Sequence, residues 1–223
     1  LSGIVKRQTR TERWVFSALG LLLVALVGVM LVSAFQRLIL YETAYGFTRL
    51  RTYTHIFMIW LGALLAVVVV LDLLHKERAI ALAMAMAALG FAATLTIVNV
   101  DDFIVRQNIN RAVQGEELDV AHLASLSNDA TPTLVEALQD ETLPEGTRDM
   151  VGAALLCSRN ERVGGSLDDN WRSFTLSKLW AEQSVEQIQN LLDGYTFIDK
   201  DDWRLQVETP MGETYDCWMG YYD

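Results

Sequence analysis

The chain has no HExxH, no CxxC, no Walker glycine loop, no GxGxxG and no GxSxG. Zinc protease, thiol redox, P-loop, dinucleotide and nucleophile-elbow chemistry therefore have no motif to stand on. Histidine is scarce, at three residues, and cysteine scarcer, at two. His55 and His75 lie twenty residues apart on one apolar run. That is about 30 Å along a helix, so they cannot share a metal. Each could singly ligate a haem or chlorophyll magnesium, but an ordinary interfacial histidine is the preferred reading. His122 stands alone. DKDD (Asp199 to Asp202) lacks the residue order and glycine of a calcium loop and reads as a solvated turn. No catalytic group, metal or cofactor is expected, and the chain is read as not an enzyme. Cys157 and Cys217 could pair, but without a CxxC pattern nothing decides it.

Charge of one sign is missing from each half in turn. Residues 1–100 hold nine Lys/Arg and four Asp/Glu, net +5, while residues 101–223 hold nine and 24, net −15. The second half lacks the basic patch expected of a nucleic-acid binder, though a basic protein partner would suit it. It also lacks long apolar runs, whereas the first half has three. WVFSALGLLLVALVGVMLVSAF (Trp14 to Phe35) is 22 residues without a charge. At about 1.5 Å per residue it can cross a hydrocarbon layer of roughly 30 Å, and it is too long for a signal peptide. IFMIWLGALLAVVVVL (Ile56 to Leu71) and the alanine-rich AIALAMAMAALGFAATLTIVNV (Ala79 to Val100) follow. Spans are expected at about 14–35, 55–74 and 79–100, after a basic flank over 1–13. No ionisable residue lies deep in a span: Glu42, His55 and Asp72 sit at ends. Ion-coupled transporters need such groups or broken helices at the midplane, so transport is disfavoured. Six Lys/Arg on the N-terminal side against five on the other barely separate the two sides, and the dense cluster of Lys6, Arg7, Arg10 and Arg13 tips the N-terminus inside and the soluble half outside. The start at Leu1 is expected to mark a processed or partial form of a longer protein.

Ala81, Ala85, Ala88 and Ala92 form a small-residue face on the third span, which lets helices approach closely in lipid. Packing within the three-helix unit is the preferred use; docking onto another membrane subunit is the other. Between spans one and two, Tyr41, Tyr45, Arg49, Arg51 and Tyr53 suit an interfacial elbow that meets lipid headgroups, with a specific lipid or pigment site as the alternative. Gly46 is expected to end the turn carrying Tyr41 and Tyr45. The polar run TIVNVDDFIVRQNINRA (Thr96 to Ala112) reads as one helix continuing span three, a joint with Asp102 and Arg106 paired at i, i+4 and Arg111 among the water-facing residues. Its apolar face is Val98, Val105, Ile109 and Ala112, with Asp102 alongside.

The acidic domain, 101–223, reads as short helices to about 193. A short helix follows Asp119. Thr131 caps a second, with Pro132 at its first position. Thr147 caps a third, with Val151, Ala154 and Leu155 inward. The longest runs from near Asn170 to Ser173 as far as Leu192, on a stripe of Leu176 or Ser177, Trp180, Ser184, Ile188 and Leu191, with Gly194 as terminator. WRLQVET, PMGE and TYDCWMGYY then alternate and turn as a β-hairpin, about 203–219. Trp203, Tyr215, Trp218, Tyr221 and Tyr222 crowd there and offer a partner surface. The fold expected is mainly α: three transmembrane helices, then a small α-helical soluble domain with a C-terminal β-hairpin.

Four motifs carry a resemblance: YETAYGFTRLR (Tyr41 to Arg51), NVDDFIVRQNINRA (Asn99 to Ala112), LDVAHLASLSNDATPTL (Leu118 to Leu134) and DNWRSFTLSK (Asp169 to Lys178). Together they resemble the C-terminal half of a bacterial family of polytopic membrane proteins, catalogued as domain of unknown function four-one-seven-three. The resemblance marks Tyr45, Gly46, Thr48 and Arg51; Asn99, Asp101, Arg106, Asn108 and Arg111; Leu118, Asp119, Leu126, Ser127, Asp129 and Pro132; and Trp171, Arg172 and Ser173. Val100 stands where members often have proline, and members have more spans, so a shortened paralogue or fragment is expected. It implies a multi-pass protein of the bacterial inner membrane and no reaction. The function expected is a non-catalytic accessory or assembly subunit of a larger respiratory or photosynthetic membrane complex, with the bilayer and other membrane subunits as partners. The alternative is a membrane-anchored sensor or ligand-binding protein that signals through a partner.

Overall fold

The computed structural model describes residues 10–164, 176–201 and 204–217. The chain divides into two compact units, Leu1–Val98 and Asn99–Asp223. The first is helical; the second is helical with a small antiparallel sheet.

Helices α1 (Arg10–Tyr45), α2 (Arg49–Leu73) and α3 (Ile80–Ile97) make the first unit. All three are long and apolar enough to cross a membrane. Helix α2 packs on both α1 and α3. Helix α1 runs past its apolar stretch: residues 36–45, expected as an interfacial elbow, continue the helix as far as Tyr45. Gly46 stops it with φ 78°, a left-handed conformation that glycine adopts without a Cβ penalty, and its N–H reaches the Glu42 carbonyl at 3.0 Å. Thr48, in extended conformation, leads into α2.

Polar bonds tie the three helices. Ser17 Oγ donates to Asp72 at 3.2 Å, and Trp60 Nε1 donates to Thr94 Oγ1 at 3.1 Å. His55 Nδ1 lies 2.9 Å from Glu42 Oε1. Gly90 admits the Trp60 ring into the space where a Cβ would stand. Phe57 meets Phe91 edge-on at 5.9 Å.

Span three does not continue into the polar run. Helix α3 ends at Ile97, Val98 is extended, and α4 (Val100–Val113) starts afresh. The reason is local: the Asn99 side chain accepts the Asp102 N–H at 3.1 Å and caps the new helix. Asp102, Arg106 and Arg111 thus all belong to the second unit. The face of α4 also differs from expectation. Val100, Asp101, Ile104, Val105, Asn108 and Ile109 are buried. Asp101 and Asn108 go inward because they have partners there: the Asp101 carboxylate accepts the Ser127 N–H at 3.0 Å and the Ser127 hydroxyl.

Beyond α4 come α5 (Val120–Ala124), a 3-10 turn (Asn128–Ala130), α6 (Thr131–Gln139), α7 (Glu145–Gly164), α8 (Leu176–Glu186) and α9 (Gln189–Leu192). Asp119 caps α5 by accepting the His122 N–H at 2.8 Å. Thr131 is the first residue of α6 rather than its cap, because the 3-10 turn, capped by Ser127, runs straight into the helix. Thr147 lies inside α7, which begins two residues earlier. Val151, Ala154 and Leu155 are buried as the periodicity predicts. The expected long helix is broken: α8 ends at Glu186 and α9 is a separate turn. Ala181, Ile188 and Leu192 are buried, whereas Trp180 and Leu191 are exposed. The expected start of that helix, 170–175, lies outside the described residues.

Strands β1 (Thr196–Asp201), β2 (Arg204–Glu208) and β3 (Thr214–Asp216) form the sheet in that order. The β2–β3 hairpin pairs Gln206 with Asp216, Val207 with Tyr215 and Glu208 with Thr214. Gly212, at φ 82°, serves its turn. Strand β1 is additional: Asp199 to Asp201, read as part of a solvated turn, pair with β2 across an irregularity, which gives their backbone groups partners. Asp202 lies outside the described residues. Helix α7 packs on α5, α6 and β2, so Leu123, Leu134, Val151, Leu155 and Val207 share the buried core. Cys157 of α7 is disulfide-bonded to Cys217 after β3. Gly152 makes room for Tyr195, whose hydroxyl donates to Asp149 Oδ1 at 3.2 Å.

Candidate functional site

In the second unit, α4, the 3-10 turn, α6 and α8 surround a cleft of about 260 Å³. Asp102 and Arg106 of α4 and Asn99, the cap just before it, are spaced by three and four, so one side of the helix start delivers all three. The turn supplies Asn128 and Asp129, α6 supplies Pro132, Thr133 and Glu136, and α8 supplies Ser177 and Trp180.

Arg106 organises the wall. Its Nε donates to Asp102 at 3.2 Å and its Nη2 to Glu136 Oε2 at 3.1 Å. Thr133 Oγ1 also donates to Asp102. Hydrogen bonding to Asp102, with the charges of Asp102 and Glu136, outweighs desolvation and raises the Arg106 pKa. Asn99 Nδ2 donates to the Asp129 carbonyl at 3.3 Å, which pins the turn to the start of α4. Asp101, behind the cleft, holds Ser127 and fixes the same turn from the other side. The side chains of Asn128, Ser177 and Trp180 have no hydrogen-bond partner among the described residues. The arrangement is chemically suited to holding a polar ligand against one aromatic ring.

The sequence-derived candidates fall in four places. Ala81, Ala85, Ala88 and Ala92 are all exposed. Helix α3 meets α2 through Gly90, Phe91 and Thr94 instead. The missing side chain of Gly90 admits the large Trp60 ring, and the α2–α3 contact forms around that ring, on the other side of α3 from the four alanines. Tyr41 and Tyr45 stack at 6.1 Å on the last turns of α1. Arg51 donates to the Gly46 carbonyl at 2.7 Å and lies 5.9 Å from the Tyr45 ring centre. Arg49 opens α2, and Tyr53 is 41% exposed one turn on, so this group gathers at one helical turn. Asp102 and Arg106 pair as predicted and line the cleft, while Arg111 pairs with Glu116 at 3.5 Å near the far end of α4. Of the aromatic surface, Tyr215 is half-buried and its hydroxyl donates to Glu213. Trp203, Trp218, Tyr221 and Tyr222 lie outside the described residues, as do Trp171, Arg172 and Ser173.

Two features went unread in the sequence. The periodicity predicts Trp180 in a core stripe, yet it is 60% exposed beside the cleft. Glu42 is expected at a span end, yet it is only 4% exposed and meets His55 between α1 and α2. Phe35 packs edge-on to the His55 ring at 4.7 Å, and His55 Nε2 is buried without a partner. Gly46 is the signal that could have found the pair. Once it closes a tight helical hairpin, residues on either side of it must face each other.

Residues 1–137 match the family described as Domain of unknown function (DUF4153). The match includes the motifs at Tyr41 to Arg51, Asn99 to Ala112 and Leu118 to Leu134, and ends before the fourth. A family of unknown function is what the motifs pointed to; its number is 4153, not the four-one-seven-three read from them. No curated protein and no solved structure matches the chain.

Proposed function

The chain belongs to the DUF4153 family, and from that footing we propose that it is a non-catalytic integral membrane protein serving as an accessory or assembly subunit of a larger membrane complex. One observation carries the reading: the small-residue face of α3 is exposed and takes no part in packing α3 on α2. In lipid, where apolar surface alone does not drive association, such a face gains by close backbone approach to another helix. The disulfide supports placing the second unit in an oxidising, extracytoplasmic compartment. Native mass spectrometry of the gently solubilised protein tests the proposal. The wild type should fly in a complex well above its own 25.0 kDa. A variant with Ala85→Ile and Ala88→Ile should insert normally and appear alone. A wild type that is monomeric in mild detergent overturns the reading.

The cleft favours a second reading, a membrane-anchored ligand-binding protein. Part of its wall, Asn99, Asp102, Arg106, Asn128 and Asp129 among it, belongs to motifs within the family match, while Ser177 and Trp180 lie beyond it.

A further inference from the structure

We propose that the cleft of the second unit binds a neutral, polyhydroxylated ligand, a sugar ring or short glycan, with Trp180 as its stacking platform. The proposal rests on the ligand-binding reading and names the class of ligand.

Charge decides first. Arg106 is bonded to both Asp102 and Glu136. Asp102, Glu136 and Asp129 set three carboxylates against that one guanidinium, so the wall is net acidic and repels an anion. A cation meets the carboxylates but, as a donor only, leaves the N–H and O–H donors of Arg106, Asn128 and Ser177 without acceptors, whereas a neutral ligand that both donates and accepts meets both sets.

Hydrogen-bonding capacity decides next. A neutral ligand that pairs with this wall must both donate and accept at several points. Arg106 has five N–H groups, of which Nε–H and one on Nη2 are engaged in the wall. The carboxylates keep lone pairs beyond those it uses. The Asn128 amide and the Ser177 hydroxyl each donate and accept. Each hydroxyl of a sugar does the same, and a ring of them matches a wall of mixed planar groups.

Trp180 supplies what remains. Its ring is 60% exposed although it borders the polar cleft. A sugar ring is the common polar ligand with a C–H face to cover an indole and hydroxyls at its rim to meet the wall. At about 260 Å³ the cleft is just below the roughly 300 Å³ at which drug-sized pockets begin, a size for one or two sugar rings.

The test uses the full chain in phosphatidylcholine nanodiscs, free of the alkyl-glycoside detergents that would compete. Saturation-transfer NMR and tryptophan fluorescence are read against methyl glucoside, N-acetylglucosamine and its tetramer, with spermidine and inorganic phosphate as charged comparators. We expect a saccharide to bind saturably, and Trp180→Ala and Asn128→Ala each to weaken it at least tenfold, about 1.4 kcal/mol, with the melting temperature unchanged. Tighter binding of the tetramer than of the monomer assigns the source to a glycan chain, and equal binding to a free sugar. If spermidine or phosphate binds in a Trp180-dependent way and no saccharide does, the sugar assignment falls while the ligand-binding reading stands. If nothing binds, or binding ignores both substitutions, the two fall together.

Discussion

In the first unit, the apolar stretches of α1 and α3 bury none of their length inside the chain and that of α2 buries 6%. In the second, Ile104, Val105, Val151 and Val207 are wholly enclosed. Polar groups are used in opposite ways too. In the first unit the side-chain bonds Ser17–Asp72, Glu42–His55 and Trp60–Thr94 lie between helices, while leucine and valine face out. In the second, the Asp102–Arg106–Glu136 network lies at the surface and aliphatic groups are inside. The difference teaches how each unit is held. Apolar burial from water, worth roughly 25 cal/mol per Å², stabilises the second unit. The first keeps its apolar surface outside, so shape and a few hydrogen bonds must fix its helices.

The largest expected effect follows from this. Cys157 and Cys217 are 60 residues apart in sequence. In the loop-closure account a bond closing such a loop contributes roughly 4 kcal/mol. Replacing both with serine should therefore lower the unfolding free energy of the second unit by about that amount. It should leave membrane insertion of the first untouched. Denaturant unfolding, with limited proteolysis to report each unit, checks it. Loss of both units together would break the division.

A matched pair of glycines gives the next effect. Gly152 and Gly90 each leave the space that an aromatic ring, Tyr195 or Trp60, occupies. Overpacking costs about 1–3 kcal/mol. Gly152→Ala should sit at the top of that range, because Tyr195 is buried in a closed core and would lose its bond to Asp149. Gly90→Ala should sit at the bottom, because Trp60 borders a helix array whose outer face is open. Equal losses would show that the first unit is as tightly enclosed as the second.

The spans are legible in sequence because an apolar run of about twenty residues has few other uses. The contact between them is not, since it depends on one glycine meeting one tryptophan 30 residues away. The hairpin follows from the alternation of Arg204 to Glu208 and the turn at Pro210 to Gly212. Strand β1 hides because Asp199, Lys200 and Asp201, three charged residues in a row, obscure its alternation. At the cleft, Asp102 with Arg106 is a local i, i+4 pair and can be read directly. Asn128, Glu136 and Trp180 reach the same place only through the packing of α4 with α6 and of α6 with α8, which no local pattern encodes. The break at Asn99 overturns the reading of one continuous helix: a polar run after a span can extend a helix or cap a new one, and the asparagine side chain decides for the cap.

Tyr195 gives a smaller effect with a sign in pH. Burial first, then the charge of Asp149, raises its phenol above the ordinary value of 10.0. A raised group contributes stability that is complete below its unfolded pKa and is lost as pH climbs past it. The second unit should thus be flat in this respect below pH 10 and weaken above it. Tyr195→Phe should cost about 1–2 kcal/mol at neutral pH, from the Asp149 carboxylate left without its phenol. It should also flatten the alkaline decline. Tyr215, raised by the same kind of burial, keeps part of that slope in the variant. The first unit should show no change in either measurement.

The smallest expected effect is the most pointed comparison. Thr94 accepts the Trp60 N–H and itself donates to the Gly90 carbonyl at 2.8 Å. Thr94→Val keeps the shape and removes both bonds. In a water-soluble core a buried N–H left without an acceptor costs about 1–3 kcal/mol. Between helices in lipid the average measured value is only about 0.6 kcal/mol, because the separated helices also find partners for their polar groups. The substitution should therefore cost well under 1 kcal/mol in a steric-trap or denaturant assay of the membrane unit. Together with Gly90→Ala it should be non-additive, since both act on the same Trp60 ring. A loss above about 2 kcal/mol would mean that hydrogen bonding, rather than the fit of Trp60 over Gly90, holds α2 to α3.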